Sequence, residues 1–232
     1  MNLTPSSLSL TCALIYSTYL SYLCIVPPNP PPQNPHKTDR LNRVAALHST
    51  AQNHNILILL ILLWTYHLTL LLFPGTAPYI CLNPDLLNPS LFTWSVRSTL
   101  YIIAVCTSSW IRLASFRGLG KEFTFTLAVP KKLITSGVYA WVQHPSYIGL
   151  VGLRIVDALF VMRFDGVAAC VLPRKLVGVP YLSEIVAVVM MAALGKLIWM
   201  RILDEEEMMR GEFGDEWERW HGRTARLIPG VF

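Results

Sequence analysis

Charged side chains are scarce in this chain: Asp, Glu, Lys and Arg make up 14% of its 232 residues, against roughly 25% in soluble domains. That deficit, with 53% hydrophobic residues and a mean hydropathy of +0.45, excludes an ordinary water-soluble domain and points to a membrane protein. Cysteines are few as well. Cys12, Cys24, Cys81, Cys106 and Cys170 are odd in number and never spaced CxxC, so neither a disulfide framework nor a metal site is expected. No Lys or Arg precedes the first apolar run and no small-residue cleavage site follows it, which favours a retained helix over a cleaved signal peptide. The net charge of +5 is not gathered into a basic domain. It flanks apolar segments, as membrane topology requires and nucleic-acid binding does not.

What the chain does hold is a succession of apolar runs, each near the roughly 20 residues that cross a bilayer as a helix. The expected spans run from about Leu8 to Val26, Asn55 to Phe73, Leu91 to Leu113, Pro145 to Met162 and Leu176 to Met200. The expected fold class is therefore all-α: a polytopic membrane helical bundle of about five transmembrane helices, followed by a C-terminal cytosolic amphipathic helix. Phe213, Trp217 and Trp220 would form the apolar face of that helix, laid on the cytosolic leaflet. Pro27 to Pro35 is a proline run whose missing amide hydrogens exclude helix and set an extended linker. Residues 1–54 thus read as an N-terminal helix with its linker, 55–132 as the second and third helices with a basic connection, and 133–232 as a helical hairpin with a charged tail.

The connection after the second span holds Asp85 and no Lys or Arg, whereas Arg112, Arg117, Lys121, Lys131 and Lys132 follow the third. The positive-inside rule makes the first connection lumenal and the second cytosolic. Alternation then puts the linker bearing Lys37, Arg40 and Arg43 in the cytosol with the C-terminal tail. Arg163, Arg174 and Lys175, at the hairpin tip, run against this pattern. Arg154 and Asp157, one turn apart in the fourth span, should face the bundle interior and pair. His67, alone among leucines, reads as a hydrogen bond within the bundle.

Two polar clusters fall at membrane boundaries on the same expected side. The first runs from Leu133 to Gly149 and contains Tyr139, Gln143, His144, Pro145, Ser146 and Tyr147. Proline suits the first turn of a helix, whose amide hydrogens lack intrahelical partners. Those amides and the positive helix end favour an anion, such as the carboxylate of an amino-acid-like cofactor. The second cluster begins Arg201-Ile202-Leu203-Asp204-Glu205-Glu206-Glu207 and closes on Arg226-Leu227-Ile228-Pro229. Arg201 and Glu205, four apart, share one helical face. A fixed guanidinium there can hold a carboxylate in bidentate fashion, and a carboxylate one turn on can accept from ribose hydroxyls or an ammonium.

The ordered set LxxxGxYxxxxHPxYxG, RxxxEE, FGxEW and a closing LIP resembles the isoprenylcysteine carboxyl methyltransferases. That resemblance implies a catalytic methyltransferase region over 133–232 with a cofactor site between the last two helices and the tail, open to the cytosol. Leu133, Ile134, Tyr139, His144, Pro145, Ser146, Tyr147 and Glu205 would contact S-adenosyl-L-methionine. Arg201 would be the catalytic residue that binds the substrate carboxylate. The implied activity is methylation of the terminal carboxylate of a prenylated cysteine in CaaX-processed proteins. The implied setting is the endoplasmic reticulum membrane, with prenylated protein C-termini and membrane lipid as partners and no nucleic acid. Three features depart from the family: Gln143 replaces the arginine usual before His-Pro, Trp217 and Trp220 stand where tyrosines are common, and the hairpin connection is unusual.

Attack by an ionised carboxylate on a sulfonium methyl needs no general base, because the nucleophile carries no proton at neutral pH. Alternatives from the same residues are a phospholipid or other small-molecule methyltransferase, a membrane sterol reductase using NADPH, and a non-catalytic relative. Taken singly, His144 reads as a helix cap at the interface and Arg201 as a snorkelling anchor paired with Glu205; the ordered set of motifs reverses both readings.

Overall fold

Proline marks the edges of the helices. Pro5 and Pro145 open two of them and Pro74 lies just beyond the end of a third, as expected for a residue that needs no intrahelical N–H bond at the first turn and cannot sustain one further in. The structure, a computed structural model, describes residues 4–32, 36, 37, 39, 40 and 50–230, with the side chains of 50–57 left aside. Arg43 and the end of the proline run lie outside the described residues. The principal helices are α1 (Pro5–Ile25), α2 (Thr50–Leu72), α3 (Val96–Leu119), α4 (Pro145–Phe160), α5 (Leu182–Phe213) and α6 (Asp215–His221). Among the described residues the β content is one isolated parallel bridge, Val142 to Ala225. The fold is all-α and polytopic, as the composition demanded.

Among the described residues three stretches are long and apolar enough to cross a membrane: Pro5–Ile25, Pro89–Glu122 around α3, and α5. A fourth counts if the pair Ile58–Leu72 and Pro74–Ile80, bent by 106°, is one span. The bend falls at Pro74-Gly75, where the backbone loses a donor and gains freedom. The expected span at 145–162 is shorter than foreseen. With 16 residues, α4 rises about 24 Å, less than the roughly 30 Å hydrocarbon core. The last helix begins later and runs further than Leu176 to Met200, ending at Phe213, so Arg201 and the glutamates lie within a continuous helix.

The chain divides into two compact units. One comprises Met1–Tyr22, His54–Thr107 and Gly152–Ala192. Its interior is aromatic: Tyr101 stacks on Phe160 with ring centres 4.1 Å apart, and His67 on Phe92 at 4.7 Å. His67 Nε2 lies 3.2 Å from the Leu91 carbonyl, the bundle hydrogen bond expected of it. Arg154 and Asp157 pair at 3.2 Å. The hairpin-tip arginines that contradicted the charge pattern are matched by carboxylates, Arg174 in bidentate fashion by Asp85 at 2.8 and 2.9 Å, and Arg163 by Asp165 at 3.3 Å.

One expectation about cysteine is overturned. Cys81 and Cys170 form a disulfide, joining the connection after α2 to the short helix Val167–Val171. Asn83 fastens the same place, donating from Nδ2 to the carbonyls of Ala169 at 2.7 Å and Leu172 at 3.0 Å. The pairing was illegible because 89 positions separate the two residues, and spacing carries no information about which distant cysteines fold together.

The second unit comprises Leu23–Asn53, Ser108–Val151 and Ala193–Phe232. Here α4 crosses α3 at Gly149, where a Cβ would stand 2.6 Å from the Ser108 carbonyl oxygen and 2.7 Å from Arg112 Cβ. Only glycine permits that approach. The tryptophans of α6 do not form a lipid-facing surface. Trp217 is 1% exposed and Trp220 6%, and both pack on Tyr139, because rings of that size contribute more when enclosed on all sides than when laid on a surface.

Alkylation of the intact protein should leave Cys81 and Cys170 unmodified until the bridge is reduced. Cys170→Ser should cost about 2–4 kcal/mol, the usual worth of a bridge closing a long loop, read as a lower unfolding midpoint in detergent.

Candidate active site

All the residues singled out by the motifs fall in the second unit. The chain enters through Gly137, whose φ of +64° lets a short 3₁₀ turn, Gly137–Ala140, swing Tyr139 inward. Tyr139 is buried against Trp217 and Trp220, with Leu133, Ile134 and Val138 partly buried around it. Its hydroxyl donates to the Ser115 carbonyl at 3.3 Å, and Trp220 Nε1 donates to the Tyr139 carbonyl at 3.1 Å. Burial first, and then the negative charge of Glu205, push the Tyr139 hydroxyl far above its ordinary pKa. It remains a neutral donor and supplies no proton chemistry.

The His-Pro turn and the arginine-glutamate turn meet. Tyr147, in the first turn of α4, donates its hydroxyl to Glu205 Oε2 at 3.2 Å. His144 Nε2 lies 3.4 Å from Glu206 Oε1 and its Nδ1 3.8 Å from Glu205 Oε2. The motif tyrosine and histidine thus reach adjacent carboxylates on α5. The two differ in kind. The Glu206 side chain is 9% exposed and takes a two-point ion pair from Arg226 at 2.8 and 2.9 Å. Glu205 is 31% exposed, so its carboxylate can receive donors from outside the protein.

Pro145 is fully buried, and Ser146 is turned away from Glu205. Its hydroxyl and its carbonyl both accept from Arg112 Nη1, at 2.9 and 3.0 Å. Arg112 also donates from Nε to the Cys24 carbonyl at 2.9 Å and lies over the rings of Phe116 and Phe125. Read from the sequence as a positive-inside marker, it is buried and holds the start of α4. Arg201 is engaged too: Nη1 reaches Asp39 at 2.6 Å and Nη2 donates to the Phe125 carbonyl at 2.6 Å.

Gln143, in place of the family's arginine, anchors the tail. Its amide N–H donates to the Ala225 carbonyl at 2.8 Å, and its side-chain Nε2 donates to the carbonyls of Thr224 and of His221. His221 Nδ1 lies 2.8 Å from Gln143 Oε1. Burial lowers the His221 pKa from its ordinary 6.5, so near neutral pH the ring is uncharged and Nδ1 carries the proton it donates to Gln143.

The residues that sequence reasoning missed are Asp39, Arg112, Glu206 and Arg226. Glu206 and Arg226 were visible within the quoted motifs, but nothing in their spacing says that they pair. Asp39 left no local signal, because it lies 162 positions from its partner by their numbering.

Gln143→Ala should cost about 1–3 kcal/mol, the penalty for leaving buried partners unsatisfied, and should speed proteolysis after α6. The pH dependence has a definite sign. A histidine with a depressed pKa contributes its stability above the unfolded value of 6.5 and loses it as pH falls. Replacement by Gln at His221 should therefore flatten the loss of thermal stability on acidification below about 6.5, measured against wild type.

Residues 100–177 match the isoprenylcysteine carboxyl methyltransferase (ICMT) family. Over 142 residues the chain is 27% identical to the protein-S-isoprenylcysteine O-methyltransferase of Schizosaccharomyces pombe, an alignment covering 60% of this chain and 52% of that protein. The chain thus spans about half the length of the curated relative it matches. No solved structure matches. The matched stretch includes the His-Pro turn and its flanking glycines and stops short of Arg201. The resemblance that the motifs carry is borne out: this chain is similar to the isoprenylcysteine carboxyl methyltransferases.

Proposed function

We propose that this chain is an S-adenosyl-L-methionine-dependent methyltransferase acting on the terminal carboxylate of a prenylated cysteine. The observation that carries the reading is the Tyr147–Glu205 hydrogen bond at 3.2 Å, which joins the two motif clusters into one constellation. Its setting is the endoplasmic reticulum membrane, with the constellation facing the cytosol. Prenylated protein C-termini and membrane lipid are its partners.

The residues fit that cofactor. Glu205 presents a partly exposed carboxylate, the type of acceptor that ribose hydroxyls or an ammonium seek, while neighbouring Glu206 is spent on Arg226. The positive end of α4, which opens at Pro145, favours the cofactor's carboxylate. Leu133, Ile134 and Tyr139, packed with Trp217 and Trp220, supply an apolar wall for a base. When bound, the cofactor supplies a methyl group on a positively charged sulfonium.

Arg201 holds the substrate carboxylate and aims one oxygen at that methyl, so that orientation replaces a chance encounter. With the cofactor bound, it would supply the methyl and keep the leaving electron pair on sulfur, and Arg201 would only have to hold and orient the acceptor carboxylate, with no proton to move. No base is needed, since the carboxylate is ionised at neutral pH. The aromatic wall excludes water, which would otherwise solvate both charges and blunt their attraction. An amine acceptor, as in a phospholipid headgroup, would have to lose a proton, and a guanidinium beside it favours the wrong charge.

Arg201→Ala should lower methylation of a farnesylcysteine analogue at least about 100-fold, by removing the carboxylate clamp, while thermal stabilisation by S-adenosylhomocysteine persists. Glu205→Ala should lose that stabilisation. NADPH should stabilise neither wild type nor variants; stabilisation by NADPH alone would select the reductase reading, and methylation of phosphatidylethanolamine alone the phospholipid one. Cofactor binding without turnover on either substrate would mark a non-catalytic relative.

A further inference from the structure

Asp39 lies outside the residues 100–177 matched to the family, yet its carboxylate stands 2.6 Å from Arg201, with the two side chains 2% and 8% exposed. The placement is built from several sides. The second Asp39 oxygen accepts from the Leu127 N–H at 2.9 Å, and the His36 N–H donates to the Leu127 carbonyl at 2.8 Å. Arg40 grips the fully buried Asp204 with its backbone N–H at 3.0 Å and its Nε at 2.9 Å. His36 and Asp39 thus fasten to the stretch just before Pro130, Arg40 fastens to α5, and Asp39 is held against the guanidinium.

A guanidinium has five N–H donors, more than Asp39 and the Phe125 carbonyl consume, so a second carboxylate can share it. Sharing has a chemical consequence for carboxyl methylation. Negative charge on the acceptor oxygens falls as the O–C bond forms, so a cation facing them stabilises the ground state more than the transition state and slows the step. A buried arginine with no counter-charge would clamp the substrate hardest and hinder it most.

We propose that Asp39 is a positioning residue for this site: it takes up part of the Arg201 charge and fixes the guanidinium's direction, leaving the substrate carboxylate held but still nucleophilic. The neutral ester product, lacking the charge that Arg201 binds, then leaves readily. This inference rests on the methyl-transfer reading above.

The test is steady-state kinetics in membranes with a farnesylcysteine analogue, alongside thermal stabilisation by S-adenosylhomocysteine. Asp39→Asn should lower kcat about tenfold and lower KM about threefold, the pattern left when a ground-state interaction is strengthened, with S-adenosylhomocysteine stabilisation retained. Asp39→Glu, which keeps the charge, should restore kcat to within about threefold of wild type. A merely structural Asp39 would lower protein yield and cofactor stabilisation and leave KM alone. Unchanged kinetics in Asp39→Asn beside an active wild type would overturn this inference and spare the methyltransferase reading. An inactive wild type would overturn both, and failure of both variants to fold would make Asp39 structural and likewise overturn it.

Discussion

An ion buried away from water costs several kcal/mol unless a partner answers it, and a chain with so few charges cannot scatter them at random. Among the described residues of the second unit, the buried pairings that satisfy this constraint join residues well separated in sequence. Arg201 takes Asp39, Asp204 takes Arg40, and Glu206 takes Arg226. Arg112 satisfies itself on the Cys24 and Ser146 carbonyls. The C-terminal half of α5 acts as the spine on which the linker, the His-Pro turn and the tail are hung. Removing any one partner would strand a charge, so the arrangement is specified by what it must avoid as much as by what it gains.

From that constraint the proposed chemistry follows. With Asp204 and Glu206 occupied by arginines, Glu205 is the carboxylate of the run that combines partial exposure with a tyrosine donor from α4. Helical spacing does the sorting. Arg201 and Glu205 lie one turn apart on one face, while Asp204 and Glu206 point to either side, toward Arg40 and toward His144 and Arg226. A run of acids that could be read as a solvated helix start is instead divided, residue by residue, between architecture and the proposed cofactor site. The first unit obeys the same rule separately, with Arg97 on Asp165 at 2.7 Å and Arg174 on Asp85, although the exposed second pair contributes little to stability.

Gln143 illustrates how a departure from a family pattern acquires a meaning. Read as a lost charge beside a site, it suggests altered function. Its side chain is buried and joined to the tail through His221 and Thr224, so at this position the amide does a bridging task that needs both a donor and an acceptor. An arginine has donors only and could not accept from His221.

Hydropathy and spacing alone determined that the chain is helical and crosses a membrane several times, that Arg201 and Glu205 share a face, that His67 would bond within the bundle and that Arg154 would pair with Asp157. These are local properties, set by the 3.6-residue turn and by the transfer of apolar side chains out of water, and neighbouring residues suffice to read them. The Cys81–Cys170 bridge, the burial of Trp217 and Trp220, the run of α5 to Phe213, and the reach of Asp39 to Arg201 were decided only by tertiary structure. Each depends on which distant segments share space, and a one-dimensional pattern holds no record of that, because the energy of a buried pair depends on distance through the fold and is indifferent to separation along the chain.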